Sequence, residues 1–570
     1  MRSVRILFVL SLLLLLLFGC SPVVPPGGEG VEVTQEGTAG CGQAGGEPCP
    51  SEPQGQDSKE AASGNEPAPE AKGEPQKEPV GTDASQEPVV PEPGSEPGPE
   101  PAVQDASDGS IPESQPNEQP IGKDEPSPPE MGPEKVLPPL PTKPYVISFG
   151  YGSVFVVSRG LAVDSQGAVY VYGSFLGKAS FGSTSFSSAG GSFEVFLSKF
   201  SSDGNLVWVK ATQGNGMKDG FRVHIDSSDN IYVAGNFLDK MSWGGTTLDA
   251  TKGGAFLTKF STAGKVLWNI QMGNQGAILK SIRTDPQGQL FIAGQFSGPA
   301  KFGTLSFTGK ADLDIFVARL NPKGEFQWMT SGGGPSIDIA VDLCLSPQND
   351  IYLVGQIFDS SVWGKTTLTT TQDDLFVVKW DSKGSLQWVI QTKGQGSTIP
   401  HALRWTPQGQ IFLSTELEGQ KKIGSFSIPN TNHGTMTTLI FDTSGKIKKS
   451  SYSTGSTHIH PTSVAFDSKG RIYVGGEFNG SFQIDKLQLT TGNLFHAYVT
   501  RMSLNQVYDW STLSKGKGTA AGRLIAIDHQ DNLYLLGEFE NDVVFDGTTL
   551  KRQPNAVGKE FFLWKLRPPK

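Results

Sequence analysis

A recurring aspartate and the glycines that follow it are the first residues in this chain to suggest chemistry. The stretch DSKGRIYVGGEF begins at Asp467 and contains a Gly pair, so a carboxylate site and a phosphate-binding loop both come into question. Related stretches recur every 59 to 62 residues, so the chemistry of one copy has to be judged against all the others. The other copies begin at Asp164, Asp226, Asp285, Ser346, Thr406 and Asp528.

The composition of these copies favours a structural role. An Asp followed by x-x-Gly caps a tight turn by accepting backbone N–H groups, while the Gly takes a positive φ. Calcium would need six to eight oxygen ligands, and Ser346 and Thr406 are poor substitutes for a calcium-binding carboxylate. No helix pattern follows the glycines, so close packing explains them better than phosphate binding.

The fifth copy departs from the repeat and is surrounded by histidines. Three residues break the pattern of glycine, strand cation and tryptophan: Thr415, Ile440 and Lys449. Four histidines lie nearby in sequence: His401, His433, His458 and His460. The HIH segment places two imidazoles on one face of an extended strand, which makes His458, His460 and His433 candidate zinc or copper ligands. No third ligand is fixed by the spacing, and a decayed repeat is the alternative interpretation.

The repeats predict an all-β fold. Each unit contains a strand before the Asp, an apolar strand such as IYVGGEF, and two further strands such as FLTKF and KVLWNI. The seventh unit stops after its third strand, and the orphan strand KPYVISFG stands before the first unit. We therefore predict that residues 145–570 form a seven-bladed β-propeller of four-stranded blades, closed into a ring by an N-terminal strand.

Two sets of cations accompany this pattern. The cation of the third strand, as in Lys199 and Lys259, is expected to lie over an aromatic neighbour. The connections on the opposite face from the Asp turns vary in sequence and are the candidate ligand-binding loops. Their lysines would suit a polar or anionic ligand: Lys218, Lys393, Lys515 and Lys517.

The first 144 residues differ from the repeats in composition. Residues 1–19 have a basic start and an apolar run, which is typical of a secretory signal peptide. Residues 20–144 hold 27 of the 39 prolines and a net charge of −18, which predicts a disordered Pro/Glu/Gly/Ser-rich linker. The remaining chain has a net charge of about +6 with no basic stripe, so no nucleic-acid partner is expected.

The cysteines divide into three groups. The sequence LFGC resembles the bacterial lipoprotein box, which implies cleavage before Cys20, lipidation of Cys20 and a lipid anchor in the outer membrane, facing the periplasm or the cell surface. Cys41 and Cys49 flank a Gly-rich loop short enough to close as a disulfide, with two unpaired thiols as the alternative. Cys344 lies in an apolar strand pattern and is expected to be a buried, inert thiol.

The repeats resemble the β-propeller repeats of secreted bacterial proteins and lipoproteins. The TAGKVLW form is also similar to the repeats of pyrroloquinoline-quinone-type propellers, a group that includes quinoprotein dehydrogenases and an outer-membrane assembly lipoprotein. The expected function is a monomeric, membrane-anchored, non-enzymatic binding or adhesion module for protein or glycan, with no cofactor. The alternatives are an envelope assembly scaffold and a propeller enzyme, such as a lyase, glycosidase or quinoprotein, with its site at the central mouth.

Overall fold

A computed structural model describes residues 143–152, 155–273, 277–310, 313–428, 431–455, 458–554, 556 and 558–569. Within these ranges all regular structure is β-strand. No helix long and apolar enough to cross a lipid bilayer occurs among the described residues. The predicted signal peptide, the linker and three of the four cysteines (Cys20, Cys41 and Cys49) lie outside these ranges.

The strands fall into repeated groups, which we call blades. The closing strand and the linker after it are β1 (Tyr145–Phe149) and β2 (Tyr151–Gly152). Blade 1 contains β3 (Phe155–Val163), β4 (Val169–Leu176), β5 (Lys178–Phe181), β6 (Thr184–Ser187), β7 (Glu194–Phe200) and β8 (Leu206–Ala211). Blade 2 contains β9 (Lys218–Ile225), β10 (Ile231–Trp243), β11 (Thr246–Phe260) and β12 (Val266–Met272). Blade 3 contains β13 (Ile278–Thr284), β14 (Leu290–Phe296), β15 (Pro299–Phe302), β16 (Leu305–Thr308), β17 (Asp314–Leu320) and β18 (Phe326–Gly332).

The remaining strands repeat this order. Blade 4 contains β19 (Asp338–Leu345), β20 (Ile351–Ile357), β21 (Ser360–Trp363), β22 (Thr366–Thr369), β23 (Asp374–Trp380) and β24 (Leu386–Gln395). Blade 5 contains β25 (Thr398–Trp405), β26 (Ile411–Leu417), β27 (Gln420–Ile423), β28 (Phe426–Ser427), β29 (Thr435–Phe441) and β30 (Ile447–Tyr452), followed by linker β31 (Thr454–Gly455). Blade 6 contains β32 (Ile459–Phe466), β33 (Ile472–Phe478), β34 (Ser481–Ile484), β35 (Leu487–Thr490), β36 (His496–Met502) and β37 (Tyr508–Leu513), followed by linker β38 (Lys515–Gly516). Blade 7 contains β39 (Thr519–Ile527), β40 (Leu533–Glu540), β41 (Val543–Phe545), β42 (Thr548–Leu550) and β43 (Glu560–Leu566).

The blades form antiparallel sheets whose main strands follow chain order, and the last of these sheets is completed by β1. In blade 7 the order is β39, β40, β43 and β1, and the register runs from Tyr145 opposite Lys565 to Phe149 opposite Phe561. This confirms the predicted closing strand. The β-propeller class is confirmed as well, and seven sheets of four or more strands occur among the described residues.

The core lies between neighbouring blades. The second and third strands are buried along nearly their whole length because each face packs on an adjacent sheet, as in β14 and β23. Tyr534 and Leu563 of blade 7 pack with Val169 and Phe196 of blade 1 in one apolar cluster. The last blade therefore packs on the first through a core of the same kind as those elsewhere in the ring.

The Asp turns have the predicted geometry. Asp467 Oδ1 accepts the backbone N–H groups of Lys469 (3.0 Å) and Arg471 (2.8 Å), and Gly470 has a φ of 74°. Oδ2 accepts the hydroxyl of Tyr473 at 3.2 Å, which ties the turn to the second strand. The third-strand cations also lie as expected, with Lys199 Nζ 5.0 Å from the ring centre of Tyr170. These residues are structural.

A short hairpin between the second and third strands was missed by the sequence analysis, which predicted only a connection there. In blade 1 this hairpin is β5 and β6, paired from Lys178 with Ser187 to Phe181 with Thr184. Phe181 is fully buried and anchors the hairpin on the blade. The linkers between blades pair with these hairpins, as β2 does with β5 and β38 with β41. Strands of four residues or fewer are too short to show a period in sequence.

Lys449 stands in blade 5 where the repeat has a tryptophan, and it makes a hydrogen bond to the next blade as that tryptophan does in other blades. In blades 2 and 4 this Trp donates to a carbonyl in the next blade, as Trp388 Nε1 does to Thr443 O at 3.1 Å. Lys449 Nζ donates to the carbonyl of Leu504 at 3.2 Å in the corresponding turn of blade 6. The fifth blade therefore keeps this link to its neighbour.

Cys344 is predicted to resist alkylation in the folded protein. The side chain is 3% exposed, and burial raises the pKa of the thiol to about 12. Since the thiolate is the reacting form, iodoacetamide at about pH 8 should leave Cys344 unmodified in buffer and alkylate it in urea. Peptide mass spectrometry resolves this site from the other cysteines. Rapid labelling in buffer would contradict the buried placement.

Candidate functional site: the central channel

One cavity is lined by the first strands of all seven blades. Its volume is about 270 Å³. Its polar walls are formed by Arg222, His224, Arg283, Asp342, His401, Arg404, Thr462 and Ser463, with apolar contributions from blades 1 and 7. A second cavity of about 250 Å³ shares Arg222 and Leu524 with the first and is lined by Ser158, Arg159, Phe221, Lys280 and Arg523 as well. We call the two together the central channel.

A β-bulge in every first strand supplies the channel with side chains. The pairing between first and second strand shifts by at least one residue at the same level in each blade. The shifts fall at Arg159, Phe221, Lys280, Val341, His401, Thr462 and Arg523. Bulges bend a strand and re-aim the unpaired side chain. The bulges explain how charged residues face the channel from strands that otherwise pack in the core.

The backbones of the first and second strands approach each other closely beside the bulge. This close approach explains why a glycine recurs in the second strand. A Cβ added to Gly476 would lie 1.9 Å from the carbonyl oxygen of His460 in the neighbouring first strand. No side chain fits at that distance. The glycine is therefore a packing residue, as the sequence predicted.

Asp342 balances the positive charges of two arginines that line the channel. Its carboxylate is 1% exposed and accepts from Arg283 Nη2 at 2.8 Å, from Ser281 Oγ at 2.9 Å and from Arg404 Nη1. Burial alone would raise the pKa of Asp342, but the charges of Arg283, Arg404 and Arg222 hold it well below its usual range. The carboxylate is ionised and compensates the two arginines that contact it.

A second group of cations lines the second cavity. We call Arg159, Arg222, Lys280 and Arg523 the basic cluster. Arg523 Nη1 lies 2.8 Å from Glu477, and Arg159 Nη2 lies 3.9 Å from Asp219. Arg222 donates to the backbone carbonyls of Lys280 (3.0 Å) and Val341 (3.4 Å). The Nζ of Lys280 lies 4.2 Å from the ring centre of Phe221.

Two imidazoles flank a buried carboxylate between blades 5 and 6. His460 Nδ1 lies 2.8 Å from Glu416 Oε2, and His401 Nε2 lies 3.8 Å from the same oxygen. Burial opposes charge on Glu416, but its contacts with His401 and His460 lower its pKa to about 2. Burial likewise opposes protonation of His460, yet Glu416 raises its pKa above the ordinary value. We call these three residues the His–Glu cluster.

The candidate metal ligands are not brought together. His460 contacts Glu416, whereas His458 is exposed and His433 has a buried Nδ1 with no hydrogen-bond partner. Among the described residues no group of three or more His, Cys, Asp or Glu is arranged to hold a metal ion. The HIH segment instead supplies one histidine to a cluster whose carboxylate, Glu416, the sequence analysis did not select.

The candidate loop lysines divide into one buried and three exposed residues. Lys218 is 0% exposed, and its Nζ lies 2.8 Å from Glu194 Oε1 and 2.6 Å from the carbonyl of Gly214. A ligand arriving from solvent would not reach it, which corrects the placement of Lys218 in a ligand-binding loop. The other three are exposed: Lys393, Lys515 and Lys517.

Sequence reasoning missed the basic cluster, although a signal for it exists. Its members lie four or five residues ahead of the turn-capping Asp, within strands whose other residues are mostly apolar or small, as in GRLIAID. Aligning the first strands of the repeats exposes them: Arg159, Arg222, Lys280 and Arg523. A charge in a buried strand needs a partner or a cavity, so such positions indicate a channel.

Comparisons with known proteins support the fold and little beyond it. No known family model matches the chain. An uncharacterized WD repeat-containing protein of Acanthamoeba polyphaga mimivirus is 22% identical over 443 residues, which cover 62% of this chain and 32% of that protein. The chain thus spans about a third of that relative's length.

Similar solved structures include propeller enzymes. Virginiamycin B lyase from Staphylococcus aureus matches with 9% identity and a TM-score of 0.39, covering 74% of this chain and 99% of that one. An ulvan lyase bound to a ligand of GlcA and Rha3S units matches with 9% identity and a TM-score of 0.40, covering 69% and 92%. At these values the likeness concerns the fold alone.

These enzymes correct the prediction that the protein has no catalytic activity. That prediction rested on the absence of a recognisable catalytic motif in the sequence. Virginiamycin B lyase and the ulvan lyase are enzymes with structures of this class. The missing motif is therefore no ground for excluding catalysis.

Proposed function

We propose that this protein is an exported propeller that binds a glycan or protein ligand by admitting one group of it into the central channel. The observation that carries the proposal is the set of polar side chains that the first strands of seven blades place around one channel. Convergent polar groups in a concave site are the usual sign of ligand binding. Residues 1–19, the lipidation of Cys20 and the linker of residues 20–144 are part of this proposal, as an outer-membrane anchor and tether.

The size of the cavities limits what enters. Volumes of about 270 and 250 Å³ lie just below the range of about 300–1,000 Å³ typical of small-molecule sites. A folded protein surface does not enter such a space, whereas a sugar unit or a single side chain does. The rest of the ligand would lie on the propeller face.

Blocking the channel is predicted to abolish ligand binding. The full-length chain is screened against glycan and peptide arrays, together with Leu524→Trp, because Leu524 lines both cavities. A bulky indole there should lower affinity for the captured ligand at least ~10-fold, as steric exclusion removes the contacts of the inserted group. A Leu524→Cys variant blocked with a thiosulfonate reagent after folding gives the same test if the tryptophan variant does not fold.

The exposed loop lysines supply the matched control. A variant combining Lys393→Ala, Lys515→Ala and Lys517→Ala should bind as the unmodified protein does. If this variant loses binding while the blocked channel retains it, the ligand sits on the loops and the proposal fails. Recovery of envelope-assembly proteins alone from cross-linked cells would favour the scaffold alternative instead.

A propeller enzyme is the second candidate, and the His–Glu cluster favours it. His401 lines the main cavity, and Glu416 joins it to His460. An imidazole oriented by a carboxylate is a common general acid or base. A ligand captured in the screen should then be converted by the unmodified protein and bound without conversion by His401→Gln, because His401 is the imidazole that lines the cavity. Mass spectrometry of the ligand after incubation decides between binding alone and turnover.

A further inference from the structure

We infer that the basic cluster is a binding site for an oxyanion carried by the ligand, such as a carboxylate, sulfate or phosphate group. This inference rests on the proposed function and narrows the class of ligand that the channel admits. Arg159, Arg222 and Lys280 come from three consecutive blades and line one cavity of about 250 Å³.

The first support for this inference is that few acidic side chains balance the positive charges of these residues. No carboxylate among the described residues lies within ion-pair distance of Arg222 or Lys280. Arg222 is held by two backbone carbonyls, which position its guanidinium without neutralising it. Arg159 has only Asp219 at 3.9 Å, and its Nε is buried with no hydrogen-bond acceptor. A buried donor without an acceptor is costly and rare in folded proteins.

The rest of the channel shows that this lack of acidic partners is specific to Arg222 and Lys280. A few residues away, Arg283 and Arg404 share the buried carboxylate of Asp342. Arg523 of the same cluster lies between Glu477 at 2.8 Å and Glu538 at 3.5 Å. Internal acids thus satisfy the neighbouring cations, whereas Arg222 and Lys280 face the cavity without one. An external oxyanion would fill that place.

The protonation of Lys280 agrees with this reading. Burial and the charges of Arg159 and Arg222 lower the pKa of Lys280 to about 8, against the opposing influence of Asp219. The apolar ring of Phe221 lies beneath the ammonium. An anion bound between these cations would offset both the burial and the repulsion. Arginine and lysine are also the usual partners of carboxylate, sulfate and phosphate groups.

Titration with simple anions tests the inference. The full-length chain is titrated by calorimetry with sodium sulfate, sodium phosphate and sodium glucuronate at matched ionic strength in chloride, and with glucose as the uncharged control. Comparison of the three anions distinguishes a carboxylate site from a sulfate or phosphate site. We expect at least one anion to bind and glucose not to bind.

The variants locate the site. Combining Arg222→Met and Lys280→Met should weaken anion binding about 10- to 100-fold, the range for losing charge-assisted hydrogen bonds. The control combines Lys393→Met and Lys515→Met, which removes two exposed charges and should change affinity less than about 2-fold. Lys280→Met alone should unfold at a higher temperature without anion, because it removes a poorly solvated charge. The single variant replaces the double one if the latter does not fold.

Binding should also depend on pH through Lys280. The pKa of Lys280 is about 8 in the free protein, so the ammonium is lost as pH rises through that value. The charged groups facing it are Arg159, Asp219 and Arg222. Affinity should therefore fall above pH 8, and binding at pH 9 should take up a proton, seen as a dependence on buffer ionisation heat. Lys280→Met should remove both effects.

The outcomes separate this inference from the proposed function. If none of the three anions binds better than chloride, or if the loop-lysine control loses as much affinity as the double variant, the oxyanion site is refuted. If an array ligand is excluded by Leu524→Trp yet binds the Arg222→Met, Lys280→Met variant unchanged, the channel function stands and the oxyanion site falls.

Discussion

Replacing Asp342 with alanine should lower the free energy of unfolding by about 3–5 kcal/mol, the range for breaking a buried ion pair from one side. The carboxylate is 1% exposed and is the shared partner of Arg283 and Arg404. Its removal leaves two guanidinium groups in the channel without a counter-charge and also orphans the hydroxyl of Ser281.

Urea unfolding followed by tryptophan fluorescence measures this change. The matched control is Asp359→Ala, which removes an exposed carboxylate from the same blade and should alter stability by less than about 0.5 kcal/mol. Asp342→Asn keeps the shape but not the charge and should fall between the two. Equal stability of Asp342→Ala and Asp359→Ala would show that the arginines do not depend on Asp342.

Removing the closing strand should have an even larger effect. Deletion of residues 1–149 takes away β1 and exposes the edge of β43 along five paired residues. It also removes Phe149, which packs on Phe200 with ring centres 4.7 Å apart and on Phe561 at 5.6 Å. Loss of one such core aromatic side chain alone costs about 3–5 kcal/mol, so we expect no stable folded monomer.

Deletion of residues 1–142 provides the comparison, because it keeps β1 and removes the predicted signal peptide and most of the linker. Circular dichroism and size-exclusion chromatography of the two truncated chains give the answer. The shorter deletion should unfold at the same temperature as the full-length chain. A stable monomer after deletion of residues 1–149 would mean that the ring does not need its closing strand.

The sequence predicted features that each repeat determines locally. The Asp467 turn, the packing role of Gly476 and the cation over Tyr170 all follow from residue types at fixed spacing. Comparison of the seven copies showed which of these residues have a structural role rather than a ligand-binding one. The closing strand was predictable because a missing fourth strand at one end matched an extra strand at the other. The short hairpins were not predicted because strands of four residues are too short to show a hydrophobic period in the sequence.

The channel escaped prediction for a different physical reason. Its contacts join residues from separate blades, such as the hydrogen bond from Arg222 to the carbonyl of Val341, which is 119 positions away. A repeat pattern gives the position of each strand but not which charges meet across the axis. Glu416 shows the same limit, because its link to His460 spans blades 5 and 6. Lys218 was misplaced because its partner Glu194 lies in a strand of the preceding blade.

The pairing of β1 with β43 also determines how the fold would respond to a pulling force. If the chain before Tyr145 is the tether, every load between the anchor and a bound ligand passes first through this strand. Tyr145 pairs with Lys565 at the end of β43, so tension would reach the ladder at one end, and bonds could break singly rather than together. Blade 7 would then be the mechanical weak point of the ring, and it would open there before any other blade lost its sheet.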